Sequence, residues 1–125
     1  MCQSTPRAEL ELPVSREAPG LAREFLRGST CVEHHSEVVD DAVLLVSELV
    51  TNSVLHGGPP VVVAVDCDEA TLQVRVRDGS PSLPARRDAA SGDENGRGLA
   101  LVAEMSADWG VDTEEDGKHV WFVIH

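Results

Sequence analysis

SEVVDDAVLLVSELVTNSVLHGGPP, residues 36–60, is the stretch on which the fold turns. Val39, Ala42, Val43, Val46, Leu49, Val50 and Val54 recur at spacings of three and four, the period of an α-helix with one buried side. Ser36 stands where an N-cap belongs, and Glu37, Asp40 and Asp41 bring negative charge to the positive end of the helix dipole. Gly57-Gly58-Pro59-Pro60 ends the pattern. The spacing predicts a long amphipathic helix over 36–56. Glu48, Asn52 and His56 follow one another at every fourth position, a polar row advancing about 6 Å per step and offset from the valine stripe. A solvated helix flank would account for a Glu/Asn pair. Asn, however, is a poor helix former, and this one sits beside Thr51 and Ser53 in the last turns of an apolar helix. Its neutral oxygen suits Mg²⁺, a hard cation, and a carboxylate one turn earlier could take a proton from a nucleophile. His56 reads either as a partner of the helix C-terminal dipole or as a pocket wall.

Working outward, residues 1–8 read as a loose tail. Residues 9–14 (ELELPV) alternate and suggest a short edge strand, and Ser15 is placed to start a helix over 17–27 that stops at Gly28. Downstream, 61–66 and 71–78 form a hairpin. In its second strand Leu72, Val74 and Val76 alternate with Gln73, Arg75 and Arg77, so one face is covered. Residues 79–95 lack apolar periodicity and are rich in Gly, Pro, Ser, Asp and Arg, the composition expected of a ligand-responsive lid. Gly96-Arg97-Gly98-Leu99 then opens a helix, and 109–113 with 119–124 close the chain as a last hairpin. This order predicts an α+β fold, a two-layer sandwich with a mixed, largely antiparallel sheet, as a single domain over 9–125.

Composition narrows the function. Ten Lys+Arg against 22 Asp+Glu leave a net charge of −12 over 125 residues, which repels phosphate backbones and anionic membranes alike. Two Trp, two Phe and no Tyr supply no stacking platform for bases. No nucleic-acid or membrane partner is expected. Cys2, Cys31 and Cys67 form no CxxC pair, so no zinc site or disulfide framework is suggested and a reducing cytoplasm is the expectation. The first residues carry Arg7, Glu9 and Glu11 and lack the apolar core of a signal peptide. His34, His35 and His125 have no carboxylate spacing that would make them ligands.

Two further constellations accompany the helical row. Asp78-Gly79-Ser80-Pro81 follows the alternating strand; an ordinary turn uses the same residues, but a strand-end Asp beside Gly can also accept from an exocyclic amine while a flat ring slides over bare backbone. Gly96-Arg97-Gly98-Leu99 at a helix start combines close backbone approach, free N–H groups and a guanidinium fork, which together suit phosphates. Each is a short signal. Their order in one chain is what makes them informative.

ELVTNSVLHG (48–57), VRVRDGSPSLP (74–84), GRGLALV (96–102) and GKHVWF (117–122) resemble the successive boxes of the GHKL ATP-binding fold. The wording looks like the bacterial anti-sigma-factor serine/threonine kinases, including their stand-alone actinobacterial relatives. The resemblance implies a Bergerat-type sandwich that binds ATP and Mg²⁺ beneath a lid. It assigns the general base to Glu48, the Mg²⁺ ligand to Asn52, and adenine recognition to Asp78 with Gly79. The phosphate-facing lid end falls on Gly96, Arg97, Gly98 and Leu99, with His56 near the nucleotide. Lys118, Arg86 and Arg87 join Arg97 as cations placed to offset the charge of ATP. Two positions depart from the pattern: Ser80 stands where Gly is usual, and His119 where a Thr that helps bind the adenine edge is common. The implied partners are a sigma factor and a small STAS-type antagonist whose serine is phosphorylated; relatives often dimerise, which leaves a homodimer open. The alternative is a non-catalytic, ATP-dependent partner-switching module. A sensor histidine kinase would need a phospho-accepting helical hairpin upstream, and is set aside on the few residues before the first strand.

Overall fold

The alternation in LQVRVRD builds the middle of the sheet. The computed structural model describes residues 8–29, 38–67, 71–80 and 94–124, with side chains from Ala100 onward in the last segment. Its elements are β1 (Ala8–Leu12), α1 (Ala18–Ser29), α2 (Val39–Asn52), a π-helical turn (Ser53–Gly57), β2 (Val61–Cys67), β3 (Leu72–Asp78), α3 (Glu94–Met105), β4 (Asp108–Glu114) and β5 (Gly117–Ile124). The strands lie in the order β1-β2-β3-β5-β4, with β3 central. All four pairings are antiparallel, so the expected sandwich stands while no parallel pair of a mixed sheet occurs among the described strands.

Strand periodicity of two divides the sheet into a dry and a wet face. One row runs Leu10–Val63–Val76–Val120–Val111 across all five strands. With Val65, Val74 and Phe122 it meets the helices, and Ala22 and Leu26 of α1, Ala42, Leu45, Val46, Leu49 and Val50 of α2 and Val102 of α3 close the core. The next row, Glu9–Ala64–Arg75–Trp121–Gly110, faces away from the helices.

Helix boundaries move by a turn or less, for local reasons. Ser15 does serve the start of α1: its carbonyl accepts from Ala18 N at 3.1 Å. Its side chain hydrogen bonds the Glu17 carboxylate and holds that carboxyl below its usual value. α2 begins at Val39 with Val38 as N-cap and no side-chain cap; the expected cap Ser36 lies outside the described residues. Asp40 and Asp41 occupy its first turn as expected. Near the other end, Thr51 Oγ1 donates back to the Ser47 carbonyl at 2.8 Å, a bond that loosens the helical ladder, and the π turn follows directly. α3 starts at Glu94 rather than Gly96, which leaves Gly96 and Arg97 among its first four N–H groups and draws Gly98 and Leu99 into the ladder. Most of the expected lid, residues 81–93, with Arg86 and Arg87, lies outside the described residues.

Candidate functional site

Asp78 ends β3 on the helix-facing side and is 2% exposed, the one buried carboxylate among the described residues. Antiparallel pairing sets it opposite Lys118 of β5, and residues directly opposite share a face. Lys118 Nζ donates to Asp78 Oδ1 at 3.0 Å, and Ser80 N donates to the same oxygen at 3.0 Å. Oδ2 accepts from Ser53 Oγ at 2.9 Å. Lys118 Nζ also reaches the Ser80 carbonyl at 3.5 Å. A carboxylate offers about four acceptor positions, so three are filled and one remains on Oδ2.

Ser53 continues the buried stripe of α2, its N–H bonding back to Leu49 O and Val50 O, and so meets this carboxylate. The π turn that it opens also brings backbone. A Cβ at Gly57 would lie 2.5 Å from Asp78 Oδ2, so no other residue leaves the carboxyl uncovered there. Gly79 N donates to Gly58 O at 2.8 Å, and a side chain at Gly79 would overlap the Pro59 carbonyl. The helix end and the strand end are thereby stitched together around Asp78.

Asn52 immediately precedes Ser53. It is half-buried, and its Oδ1 is shielded from solvent and accepts from no donor. That orphaned neutral oxygen is the donor type a hard cation takes, so the residue fits Mg²⁺. Among the described residues no group of three or more His, Cys, Asp and Glu could hold a metal by itself. Glu48 lies one α-helical turn before Asn52 and is half-buried too. His56 falls in the π turn, out of phase with that row, and is exposed. The backbone of Gly96, Arg97, Gly98 and Leu99 opens α3.

Two residues of the cluster were not read from the sequence as a pair with Asp78. Lys118, counted there among the cations near phosphates, is instead tied to Asp78; the parity of the last hairpin carried that signal. Ser53 continues the buried stripe, three and four residues after Val50 and Leu49, but that spacing does not name the strand-end carboxylate it meets. His119, one residue on from Lys118, faces the other side of the sheet, where its Nε2 meets Glu114 Oε1 at 2.7 Å. It takes no place beside Asp78.

Breaking a buried ion pair leaves the remaining charge without compensation. Lys118→Met is therefore expected to lose about 3–5 kcal/mol of stability in urea denaturation. Adding Asp78→Asn to that variant should restore part of the loss. Equal midpoints for parent and Lys118→Met would show that Ser53 and Ser80 N suffice to hold the carboxylate.

Residues 12–124 match the family model of the histidine kinase-like ATPase domain. Among solved structures, the chain is similar to the crystal structure of the RsbU and RsbW domains of Rv1364c from Mycobacterium tuberculosis. The TM-score is 0.65 at 20% identity, over 97% of this chain. The chain spans about a third (32%) of that protein's length. A search among curated proteins finds no match. With nearly its whole length accounted for by one family model, the chain belongs to the histidine kinase-like ATPase domain family.

Proposed function

We propose that this chain is an ATP-dependent protein serine/threonine kinase that regulates a sigma factor by phosphorylating a small STAS-type antagonist. The observation that carries the reading is the junction of Asp78 with the end of α2. A buried, clamped carboxylate with one acceptor position left joins, through Ser53, to an orphaned amide oxygen on Asn52. The first suits an adenine amine, and the second suits the cation that accompanies nucleotide phosphates. The similarity to a structure that contains an RsbW domain supports the regulatory class, and the boxes quoted from the sequence support the partners. No helix among the described residues is long and apolar enough to cross a membrane.

In this reading the adenine amine donates to Asp78 Oδ2, and the backbone at the start of α3, with Gly96 and Arg97, faces the phosphates. Asn52 holds Mg²⁺, which when bound neutralises phosphate charge that a chain of net −12 would otherwise repel. Glu48, one turn away, takes the proton from the partner's serine. The serine oxygen bonds to the γ-phosphorus, the bond from that phosphorus to the bridging oxygen breaks, and ADP leaves.

Three measurements check this. In titration calorimetry ATP affinity should fall on adding EDTA, and Asn52→Ala should reproduce the loss for ATP more than for ADP; equal ATP affinity with and without EDTA would remove the metal role. Asp78→Asn turns an acceptor toward the adenine amine into a donor, and should cost about 1–3 kcal/mol of ATP binding. Unchanged ATP and GTP affinities in that variant would reduce Asp78 to a turn residue. Glu48→Gln should keep ATP affinity while labelling of the antagonist from γ-labelled ATP drops by about 10²–10⁴-fold. A parent protein that binds ATP and a sigma factor but labels no antagonist would favour the non-catalytic switch.

A further inference from the structure

Four contacts fix the buried Asp78–Lys118 pair, and they load the two carboxylate oxygens unequally. Oδ1 accepts from Lys118 Nζ and from Ser80 N, both at 3.0 Å, so its two lone pairs are engaged. Oδ2 accepts from Ser53 Oγ at 2.9 Å and keeps one lone pair. Next to Oδ2 stands the bare backbone of Gly57, where a Cβ would lie 2.5 Å from the oxygen. Lys118 has little room to withdraw: its side chain is 9% exposed, and Nζ also reaches the Ser80 carbonyl at 3.5 Å. A group that could offer a ligand about four acceptor positions is thereby reduced to one.

That count separates the purines. Adenine brings to Asp78 one donor, its exocyclic amine, with an acceptor at N1 beside it. Guanine in the same pose would set its O6, an acceptor, against Oδ2. To use the carboxylate it must turn another edge, where N1–H and the 2-amino group are adjacent donors that need two acceptor positions between them. A single open position leaves one of these donors buried without a partner. Hypoxanthine has N1–H but no 2-amino group, so one position is enough for it.

We infer that Ser53, together with Lys118 and Ser80 N, sets the nucleobase selectivity of this site by leaving Asp78 a single open acceptor position, which admits bases presenting one donor and disfavours guanine. On the nucleotide reading above, from which this follows, the base meets Asp78 at Oδ2. Ser53 is a positioning residue here: it acts on the base through the carboxylate. At 6% exposure, burial asks only for a small residue at 53, which alanine would satisfy. The hydroxyl goes further and occupies a lone pair of Asp78. It is also the donor that can be removed with least disturbance, because Lys118 supplies the compensating charge and Ser80 N belongs to the backbone.

The test measures the affinity of the full chain for the Mg²⁺ complexes of ATP, inosine triphosphate and GTP, in the parent, Ser53→Ala and Ser53→Cys. The parent should bind ATP best and GTP worst, with GTP about 10- to 100-fold weaker than inosine triphosphate, the effect of one buried donor left unpaired. Ser53→Ala opens a second position on Oδ2, and most of that gap should close. Ser53→Cys keeps a weak S–H donor of similar size and should fall between. Loosening of the fold would lower all three affinities together, so the ratio of inosine triphosphate to GTP reports the lone pair and not stability. A parent that prefers ATP but binds inosine triphosphate no better than GTP would overturn the inference while leaving Asp78 as the adenine contact. So would a Ser53→Ala variant with the parent's ratio. A parent that binds none of the three nucleotides would overturn the nucleotide reading itself, and this inference with it.

Discussion

Asp78 and Lys118 form a charge pair where the sheet meets the end of α2, and the arrangement around them follows from keeping that pair satisfied. Placing a carboxylate at 2% exposure is costly unless its lone pairs are filled. Three donors come from three places: a lysine from the neighbouring strand, a backbone N–H two residues on, and a hydroxyl from the π turn. The π turn is the least expected. Had α2 continued as a regular helix, the positions after Asn52 would have kept the α-helical phase of the valine stripe. Ser53 still keeps that phase and is buried against Asp78; the widening acts beyond it, where Leu55 and His56 face solvent.

Tight backbone packing is the other half of that constraint. Gly57 and Gly79 sit where the helix end crosses the strand end, and side chains at either would displace the carboxylate or the Pro59 carbonyl. The GG and DG dipeptides of the sequence are thus a close contact between two elements rather than mere chain reversals. A nucleotide base that used Asp78 would meet the same bare backbone. This connects the local reason for glycine with the proposed recognition of adenine.

The legible parts of the molecule were those governed by a period. The valine stripe of α2, the alternation of β3 and both hairpins could be read from spacing alone, because burying one face requires it. The order of the boxes brought Glu48, Asn52 and Asp78 into view. What escaped were effects of one residue's neighbours in space. No spacing shows that Thr51 bonds back to Ser47 and that the helix then opens, and no spacing assigned Lys118 to Asp78 until the strand register was known. The shift of α3 to Glu94 is similar: the two glycines were read as the helix's first residues, yet the helix begins two residues before them. The sheet was expected to be mixed because helices intervene between strands; each pairing described is antiparallel, since the hairpins supply β2–β3 and β4–β5, and β1 and β5 join them at opposite sides.

A single register choice sets the chemistry of both faces. Arg77 and Asp78 are adjacent in β3, and Lys118 and His119 are adjacent in β5, yet each pair is split across the sheet. A slip of one residue by either strand would turn its outer set inward, Arg75 and Arg77 in β3 or His119 and Trp121 in β5, and would expose its aspartate or lysine. The cost of burying those unpaired groups opposes the slip more strongly than the valines alone would. Valines stand on both sides of the β2 and β5 alternation, at Val62 and Val123 as well as in the core, and so discriminate register weakly. The Asp78–Lys118 pair on one face, and the Arg77–Glu114 and His119–Glu114 contacts on the other, are satisfied together only in the observed register. The polar pairs of the two faces therefore also select the sheet that carries them.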